Sequence, residues 1–496
     1  SVRRPMVPPA NSAAWNTNPI DGFLAVEHEK RGLTPRPEAP PHVLIRRLYL
    51  DVIGLPPTPE ETAEFVAAWE AASAKRQATG PDAVWGKWVD RLLNSPHYGE
   101  RWGRHWMDVW RYSDWAGYGA EVRDSQPHIW RWRDWIVESL NEDKPYDRMI
   151  VEMLAGDEVA PTDPKTLRAT GYLVRNWFKF NRDVWLDRSV EHTAKAFLGV
   201  TLNCARCHDH FFDPITQKEY YQFRAFFEPH DIRTDRVPGS PDTAKDGLVR
   251  VFDAKLEAPT YLYVRSDDKD PDKKNSLPPT VPAALGGSPL SIAPVQLPRD
   301  AMQPERQKWL IDETLRNHEA AVKTAQEALA KIKHQPPSPK ASNASLGDIA
   351  QLDLDLAQAK LAALKAVLSV EALEDTPPKS PAWEKAALET ARLQREVKLL
   401  EGRKTVAAAE QVLAAADAKN QAALKKKVED AALVLKKMEE ESKKPIGTAY
   451  AKRIVGNYPA TSTGRRLALA KWIADANNPL TARVAVNHMW LRHFGK

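Results

Sequence analysis

The chain has 496 residues, 71 Lys and Arg against 66 Asp and Glu, and 43% hydrophobic residues. That length exceeds what one hydrophobic core supports, so several units are expected. A net charge of +5 is small for this size, and no arginine-rich aromatic groove is visible, which argues against nucleic acid as a partner. No apolar run approaches the ~20 residues that cross a bilayer as a helix, so no transmembrane segment is expected.

In chain order, residues 1–40 are rich in proline, with one helical stretch near Asp21–Arg31, and read as an extended arm. Leu44–Leu55 has apolar positions at helical spacing and stops at Gly54 before Pro56 and Pro57. Thr58 is placed to cap the next helix, with Pro59, Glu60 and Glu61 in its first turn. Asp82–Leu93 is a further amphipathic helix. On the next one His105, Asp108 and Tyr112 are expected to share a face beside Trp102, Trp106 and Val109, with Met107 pointing away. Most of the 17 tryptophans fall between Trp69 and Trp185, which marks a dense core. A helix is expected from about Gln126 to Asn141, after Trp115. Residues 175–181 read as a helix end or a loop, and Asp187–Asn203 as a helix carrying His192 into the segment that follows.

That segment is Cys204-Ala205-Arg206-Cys207-His208, and it holds the only two cysteines of the chain. Two thiols about one helical turn apart can add across the two vinyl groups of one porphyrin. The adjacent imidazole then serves as proximal iron ligand, which is the c-type haem attachment pattern. A CxxC redox disulfide would not need His208 and lacks a thioredoxin-like βαβ context. A zinc site from Cys204, Cys207, His208 and His210 would lack the distant second ligand pair of structural zinc sites. One covalent haem c is therefore expected on Cys204, Cys207 and His208, with His105 the first candidate for the sixth iron position and His192 a remote one. His210 could act as acid or base near the haem or hold a second cation together with Asp209 and Asp213, whose carboxylates could instead cap the next helix. Tyr220, Tyr221, Phe223, Phe226 and Phe227 are expected to wall a haem pocket. Haem is attached to this motif after export, so a periplasmic or cell-surface location is expected, with a signal segment already removed ahead of Ser1.

Four stretches, LIRRLYLDVIGLPPTP (44–59), SPHYGERWGRHWMDVWRY (95–112), LGVTLNCARCHDHFFDPI (198–215) and the segment 259–287 containing PTYLYVRSDDKDP, resemble the cytochrome c-like domain proteins first grouped from planctomycetes. STGRRLALAKWIADANNPLTARVAVNHMWLRHFG (462–495) resembles the opening of the second domain that follows in those proteins. The resemblance covers about residues 1–300 and 448–496. It implies an exported haem protein in which Cys204, Cys207 and His208 form the haem motif and His97, His105, His210 and Asp213 belong to the family pattern. It also leads one to expect that the second domain is truncated at Lys496, or continues as a separate fragment.

Residues 300–446 match nothing in that pattern. Leu315, His318, Val322, Ala325, Leu329 and Ile332 recur in steps of four and three, as do Ile349, Leu352, Leu356, Ala359, Ala363, Ala366, Val370 and Leu373. Leu424, Val428, Ala431, Leu435 and Met438 continue the rhythm, with Leu393, Val397 and Leu400 on a helix between. Prolines at 336–339 and 377–381 break the seam. An antiparallel hairpin or four-helix stalk is expected, reaching about 40 Å if its helices have ~25 residues. A single helix over Ala382–Glu440 would double that reach. His318 falls on the seam as a packing residue.

The expected architecture is mainly α with few short strands: an arm (1–40), a helical haem domain (41–300), a coiled-coil insert (301–446) and the start of a further domain (447–496). The expected function is electron transfer to a redox partner protein. One rival is a haem enzyme with an open distal site, peroxidase-like or attacking a carbohydrate, served by His105, His210 or Tyr112. The other is an assembly protein whose coil binds a partner or a second copy.

Overall fold

The computed structural model describes residues 5–9, 15, 18–74, 80–113, 127–175, 177–240, 242–286, 289–334, 343–374, 380–417, 420–453 and 455–495. Trp115, Gln126, Asn176 and the prolines at 336–339 and 377–378 lie outside them. The chain is mainly helical with a few short antiparallel strands. No described helix is long and apolar enough to cross a membrane. It divides into two compact units, residues 1–302 with 458–496, and residues 303–457.

In the first unit, helix Pro41–Val52 buries Ile45, Leu48 and Tyr49, and the chain turns at Gly54 with φ +73°. That left-handed conformation suits glycine and ends the helix. Thr58 and Glu61 exchange hydrogen bonds with each other's backbone N–H, 3.1 and 2.9 Å, opening helix Pro59–Ala74. These two helices and Gly80–Leu93 close on Phe65, with Trp69, Trp85 and Trp88 around its ring.

The larger core begins at helix Pro96–Trp110, capped by Ser95. It packs closely on helix Trp130–Asn141, because Gly99 has no Cβ to meet the Val137 carbonyl and its N–H donates to Asn141 Oδ1 at 2.7 Å. Trp106, Trp110, Trp132 and Trp135 are buried, so the tryptophan concentration is core packing. Helix Tyr146–Val159 kinks at Ala155. Strands His230–Asp235 and Leu248–Asp253 pair antiparallel with His230 opposite Asp253. After the second unit the chain returns at Tyr458, whose N–H donates to the Met302 carbonyl at 3.0 Å. Residues 458–496, read from the sequence as the opening of a further domain, lie within the first unit. Their helices Arg465–Ala474 and Thr481–Phe494 contribute Leu469, Ala470, Ile473 and Ala485 to the same core.

The second unit contains helices Lys308–Lys333, Asn343–Leu373, Pro381–Ala414 and Gln421–Ser442. Each lies antiparallel to the next. Lys360 and Lys404 of neighbouring helices reach Glu401 and Asp353 at 2.8 and 2.5 Å, and Arg395 Nη1 donates to the carbonyls of Ser442 and Lys444 at 2.9 and 2.7 Å. The helix that begins at Pro381 ends at Ala414 and the next begins at Gln421, which rules out one helix over Ala382–Glu440. Leu356, Ala359, Ala363 and Val370 are buried, with Val367 added to the expected seam. Val428, Leu435 and Met438 of the last helix are half-buried, and no residue of that helix is fully buried.

Candidate haem-attachment site

Helix Arg182–Thr193 passes into a wider turn at Ala194–Leu198 and stops at Gly199, φ +66°. The expected continuous helix to Asn203 is therefore interrupted, and Leu202–Arg206 forms a separate 3₁₀ turn. In a 3₁₀ turn residues three apart share a face. Leu202 and Ala205 are buried, which anchors the turn, while Cys204 and Cys207 lie on the outside as free, exposed thiols.

His208 is exposed, and its Nδ1 lies 2.7 Å from the Asp209 carbonyl. A carbonyl only accepts, so Nδ1 carries the proton and Nε2 presents its lone pair outward. The ring lies 4.5 Å from that of Phe211. Phe211 and Phe212 are 82% and 93% exposed, a large apolar surface beside the thiols.

His210 does a different job. Its Nδ1 accepts from the backbone N–H groups of Phe212 and Asp213 at 3.2 and 2.8 Å, so the ring proton sits on Nε2, facing Thr201 Oγ1 at 3.3 Å. With both nitrogens engaged, His210 pins the loop closed and has no free lone pair for proton transfer or a metal. Asp209 Oδ1 accepts from Gln217 N–H at 2.8 Å at the start of helix Gln217–Arg224, where Thr216 and Glu219 complete a capping box. Of the roles open to Asp209 in the sequence, capping is the one it takes.

Arg206, between the cysteines, reaches Asp187 at 3.0 Å, and its carbonyl accepts from Gln217 Nε2 and Tyr221 OH at 2.9 and 3.3 Å. Tyr220 OH donates to Asp187 at 2.7 Å. Burial first, and then the Asp187 charge, raises the Tyr220 phenol well above its usual range. Tyr220, Tyr221, Phe223, Phe226 and Phe227 are all fully buried. The expected aromatic pocket wall is thus core that supports the turn from behind.

The other candidates stand elsewhere. His105 lies edge-on to Trp102 at 5.5 Å. Burial, then Arg101 and Arg492, lowers it to about 4, so it is a neutral imidazole at pH 7. Among the described residues no hydrogen bond, ion pair or ring contact joins it to residues 204–213. Its helix ends at Trp110 with Arg111 left-handed, which takes Tyr112 off the expected shared face and sets it against Trp132 at 5.5 Å. Asp108 pairs with Arg104, and exposed His97 with Glu100 at 2.8 Å. Burial, then Arg175, holds His192 down at about 3.

Residues 19–231 match the family model described as PSCyt2, Protein of unknown function (DUF1549). Residues 465–496 match the one described as PSD1, Protein of unknown function (DUF1553). These stretches are similar to PSCyt2 and PSD1 proteins, and neither model covers half of the chain. No curated protein and no solved structure matches it. The PSCyt2 match contains the whole 204–213 loop, and the PSD1 match begins one residue before a fully buried charge.

That charge is Arg466, fully buried. It donates to both oxygens of Asp157 at 2.6 and 2.7 Å, to Asp253 at 3.0 Å, and to the carbonyl of Leu154 at 3.0 Å, beside the Ala155 kink. Ser462 Oγ donates to Glu158 at 2.6 Å and to Asp253 at 2.9 Å, and Leu467 N–H donates to Glu158 at 2.9 Å. Burial, reinforced by Asp157 and Asp253, outweighs Arg466 and pushes Glu158 up to about 7. Nothing in the sequence pattern singled out this cluster, since Arg466 lies more than 200 residues from each of its carboxylates.

The residues at the 3₁₀ turn fit a haem: two outward thiols on one face, an adjacent imidazole with its Nε2 free, and exposed phenylalanines that a porphyrin face would cover. Cys204 and Cys207 would form the thioether links and His208 would ligate iron.

Proposed function

We propose that the chain is an exported, mono-haem c-type cytochrome that passes electrons to a redox partner protein. The observation that carries this is His208: its Nδ1–H is fixed on the Asp209 carbonyl, which leaves Nε2 deprotonated on an exposed ring that directly follows two free, exposed thiols in the chain. A hydrogen bond at the distal nitrogen is the arrangement that fixes tautomer and basicity in iron-ligating histidines. When bound, the haem supplies a one-electron couple. The protein's own residues hold its attachment turn still: Leu202 and Ala205 anchor it, Arg206 ties it to Asp187, and His210 closes the loop. A fixed scaffold changes little between oxidation states, and an exposed attachment face brings a partner within reach. Both features favour electron transfer over chemistry in a sequestered pocket.

The test is to produce the protein in cells that export it and attach c-type haem, then measure its potential and its electron exchange with soluble redox proteins. A reversible one-electron couple with rapid exchange and negligible peroxide turnover is expected. Fast peroxide turnover with sluggish exchange would replace the proposal by the enzyme alternative.

A further inference from the structure

One cavity in the first unit lies beside the segment that leads into the cysteine motif. It has a volume of about 760 Å³, one wall from Lys195, Leu198 and Gly199, the other from the PSD1 helix Thr481–Phe494. The walls touch at Gly199, where a Cβ would come within 2.9 Å of Val484 Cγ2. Leu198, Val484 and Trp490 supply apolar lining, Arg483 and Lys195 supply cations, and His488 supplies an imidazole. Its volume is in the range of small-molecule and cofactor sites. Apolar walls suit a porphyrin, the cations suit its two carboxylates, and the imidazole suits iron.

His488 is half-buried and faces the Trp106 ring at 6.4 Å. No hydrogen bond to its ring nitrogens is present among the described residues. Four residues separate Val484 from His488, a rise of about 6 Å along the helix from the Gly199 contact. The same helix continues past the His105 side of helix Pro96–Trp110, where Arg492 approaches Asp108 at 3.6 Å and the His493 ring lies 4.9 Å from that of Trp102, whereas His105 is not among the residues lining the cavity. Arg492 is about 12 Å along the helix from the same contact. Cys204 follows Gly199 by five residues, so the thiols stand at most about 17 Å of chain from this wall.

From this juxtaposition we infer that His488, not His105, is the second iron ligand, and that the cavity between residues 195–199 and the C-terminal helix receives the haem face opposite His208. The PSD1 region then completes the site that the PSCyt2 region begins. This inference rests on the haem proposal above.

The test uses the full chain, haem-loaded by export, with ferric EPR and visible spectra as readout. The wild type is expected to be low-spin with two imidazole ligands. His488→Ala should become high-spin and bind cyanide at least tenfold faster, and added imidazole should restore the low-spin spectrum. His488→Met should stay six-coordinate but gain a sulfur-to-iron charge-transfer band. His105→Ala should leave the spectrum unchanged. A low-spin His488→Ala spectrum with haem still covalently bound would overturn the assignment, as would a high-spin wild type. Retained covalent haem and an unchanged Tm show that the variants fold. A wild type lacking haem would fail the underlying proposal instead, so the two failures are distinguishable.

Discussion

The two units of the chain are held together in opposite ways. The first buries whole tryptophans and a fully enclosed arginine ringed by three carboxylates. The second relies on a shallow seam of alanine, leucine and valine, and its last helix buries no residue completely. A buried charge cluster has strict geometry, because every member left unpaired carries its full desolvation cost. A shallow seam spreads its stability over many small contacts, each replaceable. The first unit should therefore fail at single positions, and the second should erode gradually.

The largest effect is expected at Arg466. Arg466→Met leaves Asp157, Glu158 and Asp253 facing one another, and should destabilise the first unit by about 3–5 kcal/mol in urea unfolding. A loss below about 1 kcal/mol would show that the cluster is not rigid. The same cluster sets a pH dependence. Glu158, at about 7 when folded against an ordinary 4.5, binds more protons in the folded state than in the unfolded one. Its contribution to stability is complete below about 4.5 and declines as pH rises through 7. Asp253 is held down at about 2 by Arg466, against burial, so its contribution is present above 3.8 and is lost as pH falls through 2. Glu158→Gln should flatten the decline in Tm between pH 5 and 8 while leaving the acid limb, and an unchanged slope would assign the decline elsewhere.

Smaller effects are expected in the helical unit. Leu435 lies half-buried against Gly402, whose ideal Cβ position is 3.0 Å from its Cδ1. Leu435→Ala should cost about 1 kcal/mol, well below a fully buried leucine, because much of the side chain already meets water. The smallest effect should come from removing the unit altogether. Met302 and Tyr458 are hydrogen-bonded neighbours, so replacing residues 303–457 by a short glycine-serine linker should leave the Tm of the first unit within a few degrees. Loss of folding would show that the first unit depends on the second.

Elements set by local chemistry were legible in the sequence. Gly54 ended its helix, Thr58 and Glu61 capped the next, and the seam positions 428, 435 and 438 face inward as their spacing required. Elements set by distant partners were not. The aromatic run 220–227 has the composition of a pocket wall, and only the fold reveals that its rings point into the core. His210 reads as a chemical group until its two backbone donors are in place. Arg466 sits in an ordinary helical pattern, and its three carboxylates come from residues 157, 158 and 253. The pattern at 204–208 stands out in the sequence because its residues are close together, whereas a side chain brought in by another helix is placed by the fold alone.

The most direct measurement is the intact mass of protein secreted from cells able to attach c-type haem, read beside its Cys204→Ala, Cys207→Ala double variant. A mass increase of one haem on the native sequence, absent from the variant, is the predicted result. Native protein of unmodified mass, colourless and with both thiols free to alkylate, would contradict the account.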